Sequence, residues 1–209
     1  MTTLAADHEA CVAVLRAAGS SFALPIRLLP DAKRRGTTAL YAFCRRADDI
    51  VDTAADPDTA RHGLDRFEAA TTAALAGTGS DDPVQRALAD AVRRFAIPPQ
   101  VIHDILDGVR MDLVANSYDT VADLDAYCRR VASAVGVAAI HIWGFLDDAA
   151  IDRADDCGLA FQYTNILRDI PEDLGRGRIY LPAADLAACG CTAAELLSGR
   201  LHEGFDRLA

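Results

Sequence analysis

Almost nowhere along this chain do apolar and polar residues alternate in the two-residue rhythm of a half-buried strand. Ala, Leu, Arg, Asp and Glu dominate, and apolar residues recur every third or fourth position instead. That pattern restricts the chain to an all-α fold. A length of 209 residues is enough for one sizeable core, and 51% hydrophobic residues make it a packed protein rather than a disordered one. Chain breakers give predicted helices over residues 6–17, 31–52, 58–76, 84–95, 99–115, 120–145 and 151–173, then two short pieces toward Ala209. "SSFALPIRLLP" (20–30) predicts a short element interrupted by Pro25 and closed by Pro30. "GTGSDDP" (77–83) is the clearest linker. Composition does not change across it, so a single domain over residues 1–209 is predicted, with no internal repeat.

The net charge is −10, from 31 acidic and 21 basic residues. That balance excludes a general nucleic-acid partner, which needs a basic face to replace phosphate counterions. It leaves room for an anionic ligand bridged to acidic residues by a metal. The six cysteines are irregularly spaced and no secretory leader pattern opens the chain, so reduced thiols and a cytoplasmic location are expected. "CGC" (Cys189, Cys191) is compatible with a metal, but C-x-C without a partner pair is a weak signal and reads rather as two small packed residues. The longest apolar stretch, residues 131–146, falls short of the roughly 20 residues a spanning helix needs. Its His141 and Trp143 are expected in the core.

"LYAFCRRADDIVD" (40–52) crowds Asp48, Asp49 and Asp52 after an apolar run. Residues three or four apart share a helix face, so Tyr41, Arg45, Asp48 and Asp52 form one stripe. Two carboxylates one turn apart suit Mg2+, a hard cation that takes oxygen ligands and keeps several waters. Arg45, one turn earlier, is placed to take the oxygens of an anion held by that metal. Alone, such an acidic cluster is more often a solvated face. A second copy changes the reading. In "FQYTNILRDIPEDLGRGRIYLP" (161–182), Gln162, Asn165, Asp169 and Asp173 again fall at helical spacing, and Arg168 precedes the acids as Arg45 does. Pro171 is expected to kink this helix or mark its last turn. Two facing sets of carboxylates would share several Mg2+ ions and, through them, a diphosphate.

Four segments in order resemble the squalene/phytoene synthase family of head-to-head prenyl synthases: "SSFALPIRLLP", "LYAFCRRADDIVD", "YCRRVASAVG" (127–136) and "YTNILRDIPEDLGRGRIYLP" (163–182). The resemblance implies an isoprenoid-synthase helical bundle around a central apolar cavity. It also implies Mg2+-assisted loss of diphosphate from one prenyl donor and attack by the alkene of a second, giving a cyclopropyl diphosphate. Carried onto this chain, it makes Asp48 and Asp52 the first metal pair, and Asp169 and Asp173 the second with Asn165. It makes Arg45 a diphosphate clamp, Ser20 and Ser21 polar groups near the substrate head, and Tyr41 and Tyr127 aromatics near the reacting carbons. Gln162 and Arg168 join the substrate-binding set. Arg178, in the glycine-rich loop "GRGRIYLP" (175–182), belongs to a candidate lid over the diphosphate. Asp107 and Asp112 either add polarity at the mouth or lie on a solvated face.

Family members continue with further helices, whereas this chain stops at Ala209 within "HEGFDRLA", so a shortened C-terminal part is expected. "VASAVG" and "SSF" resemble the bacterial hopanoid-pathway enzymes, which implies two farnesyl diphosphates and presqualene diphosphate. The alternative is geranylgeranyl diphosphate and phytoene synthesis. Peripheral association with the inner membrane would serve release of a lipid product. Two other classes compete. A Mg2+-dependent diphosphate hydrolase explains the acids but not "YCRRVASAVG". A non-catalytic relative serving assembly or binding would be expected to lose the acid pairs.

Overall fold

A 22-residue helix, Asp31–Asp52, organises the molecule. Its buried face carries Ala39, Ala42 and Ala47 beside Leu40 and Phe43, and those small side chains let several helices approach it closely. The structure, a computed structural model, describes residues 4–113 and 117–198. In chain order the helices are α1 (Leu4–Ala17), α2 (Ala23–Leu28), α3 (Asp31–Asp52), α4 (Pro57–Leu75), α5 (Pro83–Arg94) and α6 (Pro99–Met111). They continue with α7 (Val121–Cys128), a π-helical turn (Arg129–Ser133), α8 (Ala134–Trp143), α9 (Ala149–Arg168), α10 (Ile170–Gly175), α11 (Ala183–Ala188) and α12 (Ala193–Leu197). The fold is all-α. Among the described residues the only extended pairing is an isolated bridge between Ser117 and Ile179. No helix there is long and apolar enough to cross a membrane.

Local signals set the boundaries. Asp56 caps α4 by accepting from the Thr59 N–H at 2.8 Å, with Pro57 in the first turn, where a missing N–H costs nothing. Asp82 and Pro83 open α5 in the same way. Thr120 and Asp123 form a reciprocal capping box on α7. Helix α3 packs against α1, α2, α4, α5, α6 and α8, around a core that includes Phe43, Leu64, Leu88, Ile102, Leu106 and Ile142. A second core joins α7 and α9 to α11 and α12 through Leu124, Ile166, Leu186 and Leu196.

Four sequence expectations change in physically simple ways. Pro25 does not interrupt its segment: it is the third residue of α2, where its nitrogen would have no intrahelical acceptor. The helix expected over 120–145 runs from Val121 to Trp143 but contains the π-helical turn. The helix expected over 151–173 divides at Asp169 (φ −98°, ψ 10°), because the Pro171 ring opposes continuation through the preceding turn. Trp143 is not core: it is 45% exposed and donates its ring N–H to Thr37 Oγ1 at 3.0 Å. Ala115, the expected end of the helix over 99–115, and "HEGFDRLA" lie outside the described residues.

Candidate active site

The last two turns of α3 present the first acid set. Tyr41 is half-buried, while Arg45, Asp48 and Asp52 are exposed along one stripe. Arg45 reaches forward one turn to Asp49 Oδ1 at 2.7 Å. Asp48 is open at one edge, but the protein around it displaces much of its water. That desolvation, followed by the charges of Asp52 and Asp112, raises its carboxyl to about 6. The α3 acids thus carry negative charge that the neighbouring side chains do not fully compensate.

The second set straddles the α9–α10 junction. Gln162 and Asn165 are half-buried on α9. Asp169 ends that helix and begins α10, where its carbonyl accepts from the Asp173 N–H at 2.9 Å, so the two acids remain one turn apart. Arg168 closes back on Asp169, Nε to Oδ1 at 2.7 Å and an Nη to Oδ2 at 2.6 Å, and holds that carboxyl below its usual range. Asp173 is shifted the other way, by burial first and then by Asp169.

Arg178 joins the two sets. It lies in the field of Asp52 on the α3 side and of Asp173 on the α10 side, and beside Asp112 and Tyr180. The glycine-rich loop that carries it is anchored, not free. The Arg178 N–H donates to the Asp173 carbonyl at 2.9 Å, Ile179 pairs with Ser117, and the Ala183 N–H donates to the Tyr118 carbonyl at 2.9 Å. Gly177, at φ 72°, supplies the left-handed turn that lets the chain double back. Arg176, the other loop arginine, points to Glu172 at 2.8 Å.

Behind Arg178 lies a group that sequence reading largely missed. Asp112, at the C-cap of α6, accepts from the hydroxyls of Tyr127 and Tyr180, the latter at 3.4 Å. Burial raises the Asp112 carboxyl, against the lowering effect of the Tyr127 hydrogen bond and the Arg178 charge. Tyr118, Tyr127 and Tyr180 pack together with ring centroids 5.3 to 6.1 Å apart. Tyr127 is buried at 3% exposure, so only its hydroxyl end approaches the acids. Burial pushes its phenol well above the ordinary range and keeps it neutral. Asp107, weighed equally with Asp112 from sequence, is on the exposed side of α6. Only the fold distinguishes them, since both belong to the same acidic stretch of the chain.

The α1–α2 turn completes the surroundings. Gly19 (φ 59°) turns the chain, Ser20 Oγ accepts from the Phe22 N–H at 3.2 Å, and the Phe22 ring stands 6.5 Å from that of Tyr41. Phe22 is thereby brought to the α3 stripe, and Ser20 and Ser21 precede it in the turn. Phe22 and Phe161 keep 63% and 66% of their surface exposed. Cys191 is buried in the second core beside Cys189.

Among the described residues no three His, Cys, Asp or Glu side chains converge as a ready-made metal cage. Mg2+ does not require one: it is held by one or two carboxylates, waters and substrate phosphate oxygens. The exposed Asp48–Asp52 pair, with its uncompensated charge, fits that mode of binding, and the Asp169–Asp173 pair offers the same spacing.

The family described as squalene/phytoene synthase matches residues 15–209. A phytoene synthase from Arthrospira platensis is 37% identical, over 97% of this chain and 69% of that protein. Squalene synthase HpnC from Alicyclobacillus acidocaldarius superimposes with a TM-score of 0.90 at 33% identity, over 98% of this chain and 77% of its own. A dehydrosqualene synthase solved in complex with ligand gives 0.86 at 32% identity, over 98% and 71%. The helices, the order of the acid-bearing segments and these likenesses agree: this chain belongs to the squalene/phytoene synthase family, with the isoprenoid-synthase helical fold.

Proposed function

We propose that this chain is a Mg2+-dependent prenyltransferase that condenses two farnesyl diphosphates head to head to presqualene diphosphate. The observation that supports this reading is Arg178, which lines one cleft with Val51 and Asp112 and another with Asp173 and lies in the field of both Asp52 and Asp173, a cation shared between the two acid pairs. Asp48 and Asp52, with Asp169, Asp173 and Asn165, would hold the metal, which when bound supplies positive charge for the departing diphosphate. Arg45, Arg168 and Arg178 bind its oxygens, with Gln162, Ser20 and Ser21 at the edge of the same region. Breaking the C1–O bond of the donor sends the electron pair out with the diphosphate. The allylic cation is attacked by the alkene of the second molecule, and loss of a proton closes the cyclopropane. Tyr41 stabilises positive charge with its ring, and Tyr127, a neutral phenol held by Asp112, does so through its hydroxyl oxygen.

The phytoene synthase names of the curated relatives favour a second reading, in which the same centre takes two geranylgeranyl diphosphates. The chemistry is unchanged and only the tail is longer. The full chain, incubated with Mg2+ and each prenyl diphosphate in turn, is tested by mass spectrometry of the extracted lipids. A C30 cyclopropyl diphosphate supports the first reading and a C40 product the second. Prenyl alcohol or monophosphate alone would mean a hydrolase and end both. If the product is membrane-bound, peripheral association would follow, and co-sedimentation with lipid vesicles measures it.

A further inference from the structure

The helix that carries Tyr127 is interrupted immediately after it by five π-helical residues, Arg129–Ser133. One inserted residue turns the helix phase by about 100°, and single π turns gather at functional sites. Here the change of phase lets Tyr127 face Asp112 while Ala134, Ala138 and Ile142 on α8 still face the core. A π turn is intrinsically poor, so something must hold it. Two neighbouring helices each bring a glycine to it. A Cβ on Gly158 of α9 would stand 2.5 Å from the Ser133 Cα and 2.7 Å from its nitrogen. A Cβ on Gly108 of α6 would stand 2.8 Å from the Val131 Cγ1, and 3.0 Å from the Arg130 carbonyl carbon and the Val131 nitrogen. The Gly158 approach is closer than any other residue permits without a backbone shift, at Gly108 a larger residue would force Val131 and the turn to give, and glycine is otherwise unfavourable inside a helix.

Each glycine is coupled to a polar group on its own helix. Asp112 follows Gly108 by one turn on the same side of α6, so the depth to which α6 seats on the π turn sets where Asp112 stands. On α9, the Asp155 carbonyl, three residues before Gly158, accepts from Ser133 Oγ at 2.6 Å, and the Asp155 carboxylate pairs with Arg129. We infer that Gly108 and Gly158 are positioning residues: they let α6 and α9 close on the π-helical turn, and that closure sets the Tyr127 hydroxyl against Asp112. The inference rests on the reading of Tyr127 as a catalytic residue. The glycines themselves touch no substrate.

The test uses the full chain with Mg2+ and whichever prenyl diphosphate it converts. Gly108→Ala lowers kcat by about tenfold to a hundredfold, the scale of a misplaced catalytic group, and leaves KM and calorimetric binding of a diphosphate analogue nearly unchanged. Adding Val131→Ala removes the nearest clash and restores part of kcat. Gly158→Ala shows the same loss, and Ser133→Gly does not rescue it, because that clash is with backbone atoms. Gly36→Ala is the control: its Cβ would meet Phe95 at 2.7 Å and Ile142 at 3.0 Å on the first half of α3, so it lowers the melting temperature but spares kcat. A folded Gly108→Ala with unchanged kcat overturns the inference, as does absence of rescue by Val131→Ala. Full activity in Tyr127→Phe would instead defeat the catalytic reading. If no prenyl diphosphate is converted, crystal structures of the parent and of Gly108→Ala/Val131→Ala beside Gly108→Ala decide. An intact Tyr127–Asp112 contact in Gly108→Ala then overturns the inference.

Discussion

Arg46 reaches from α3 to Asp82, the N-cap of α5, and donates to both carboxylate oxygens at 2.7 and 2.6 Å. Its neighbour Arg45 turns the other way and stays over the acids of its own helix. Adjacent and chemically identical, the two arginines therefore have separate roles. Arg45→Ala should weaken Mg2+-dependent binding of a diphosphate analogue by about tenfold to a hundredfold, the loss of one charge-assisted contact. Arg46→Ala should leave that affinity near its parent value and lower stability by about 1 kcal/mol, a modest cost because the pair is partly solvated. Calorimetry and thermal melts on both variants separate the two; equal losses of affinity would contradict the assignment.

Asp48 gives a pH dependence with a definite sign. Its folded-state carboxyl is raised to about 6, by burial first and then by Asp52 and Asp112. Between the ordinary carboxylate range and that value the folded chain holds a proton the unfolded chain has lost. The contribution of this group to stability is therefore greatest at low pH and declines as pH rises through about 6. Without Mg2+, Asp48→Asn should melt above the parent at neutral pH, and the gap should close as pH falls from about 6 into the ordinary carboxylate range. In saturating Mg2+ the order should reverse, because only the parent gains from the metal.

Asp48→Ala and Asp169→Ala should each abolish condensation with helical content intact, since neither residue supports the core. Circular dichroism beside product analysis checks this, and near-normal product from either variant would remove that pair from the metal site. EDTA should stop turnover by the parent.

A structural ion pair provides a contrast. Asp7, almost wholly buried, accepts from two nitrogens of Arg86 at 3.0 and 2.5 Å and ties α1 to α5. Asp7→Ala leaves that arginine without its partner and should cost about 3 kcal/mol, the low end for a buried pair because Arg86 keeps 25% of its side-chain surface in solvent. Denaturant titration measures it, and Mg2+-dependent analogue binding by the folded fraction should not change.

What the sequence determined by itself was everything that depends on residues close together in the chain. The all-α class, the stripe of Tyr41, Arg45, Asp48 and Asp52, and the one-turn spacing of Asp169 and Asp173 follow from helical periodicity, which a few residues suffice to express. The helix starts expected near residues 58, 84 and 120 lie within two residues of the observed ones for the same reason. What only the tertiary structure decided depends on how helices far apart in the chain meet. Asp112 and Asp107 look alike in sequence, and only the seating of α6 on the π turn puts one beside Tyr127 and the other in solvent. Arg46 bonds to a residue 36 positions away, which no local pattern encodes. Tyr118 and Tyr180 join Tyr127 because the segment after α10 pairs with the one before α7. Local spacing fixes which side chains share a face. Which faces meet, and at what phase, is set by close packing summed over the whole chain.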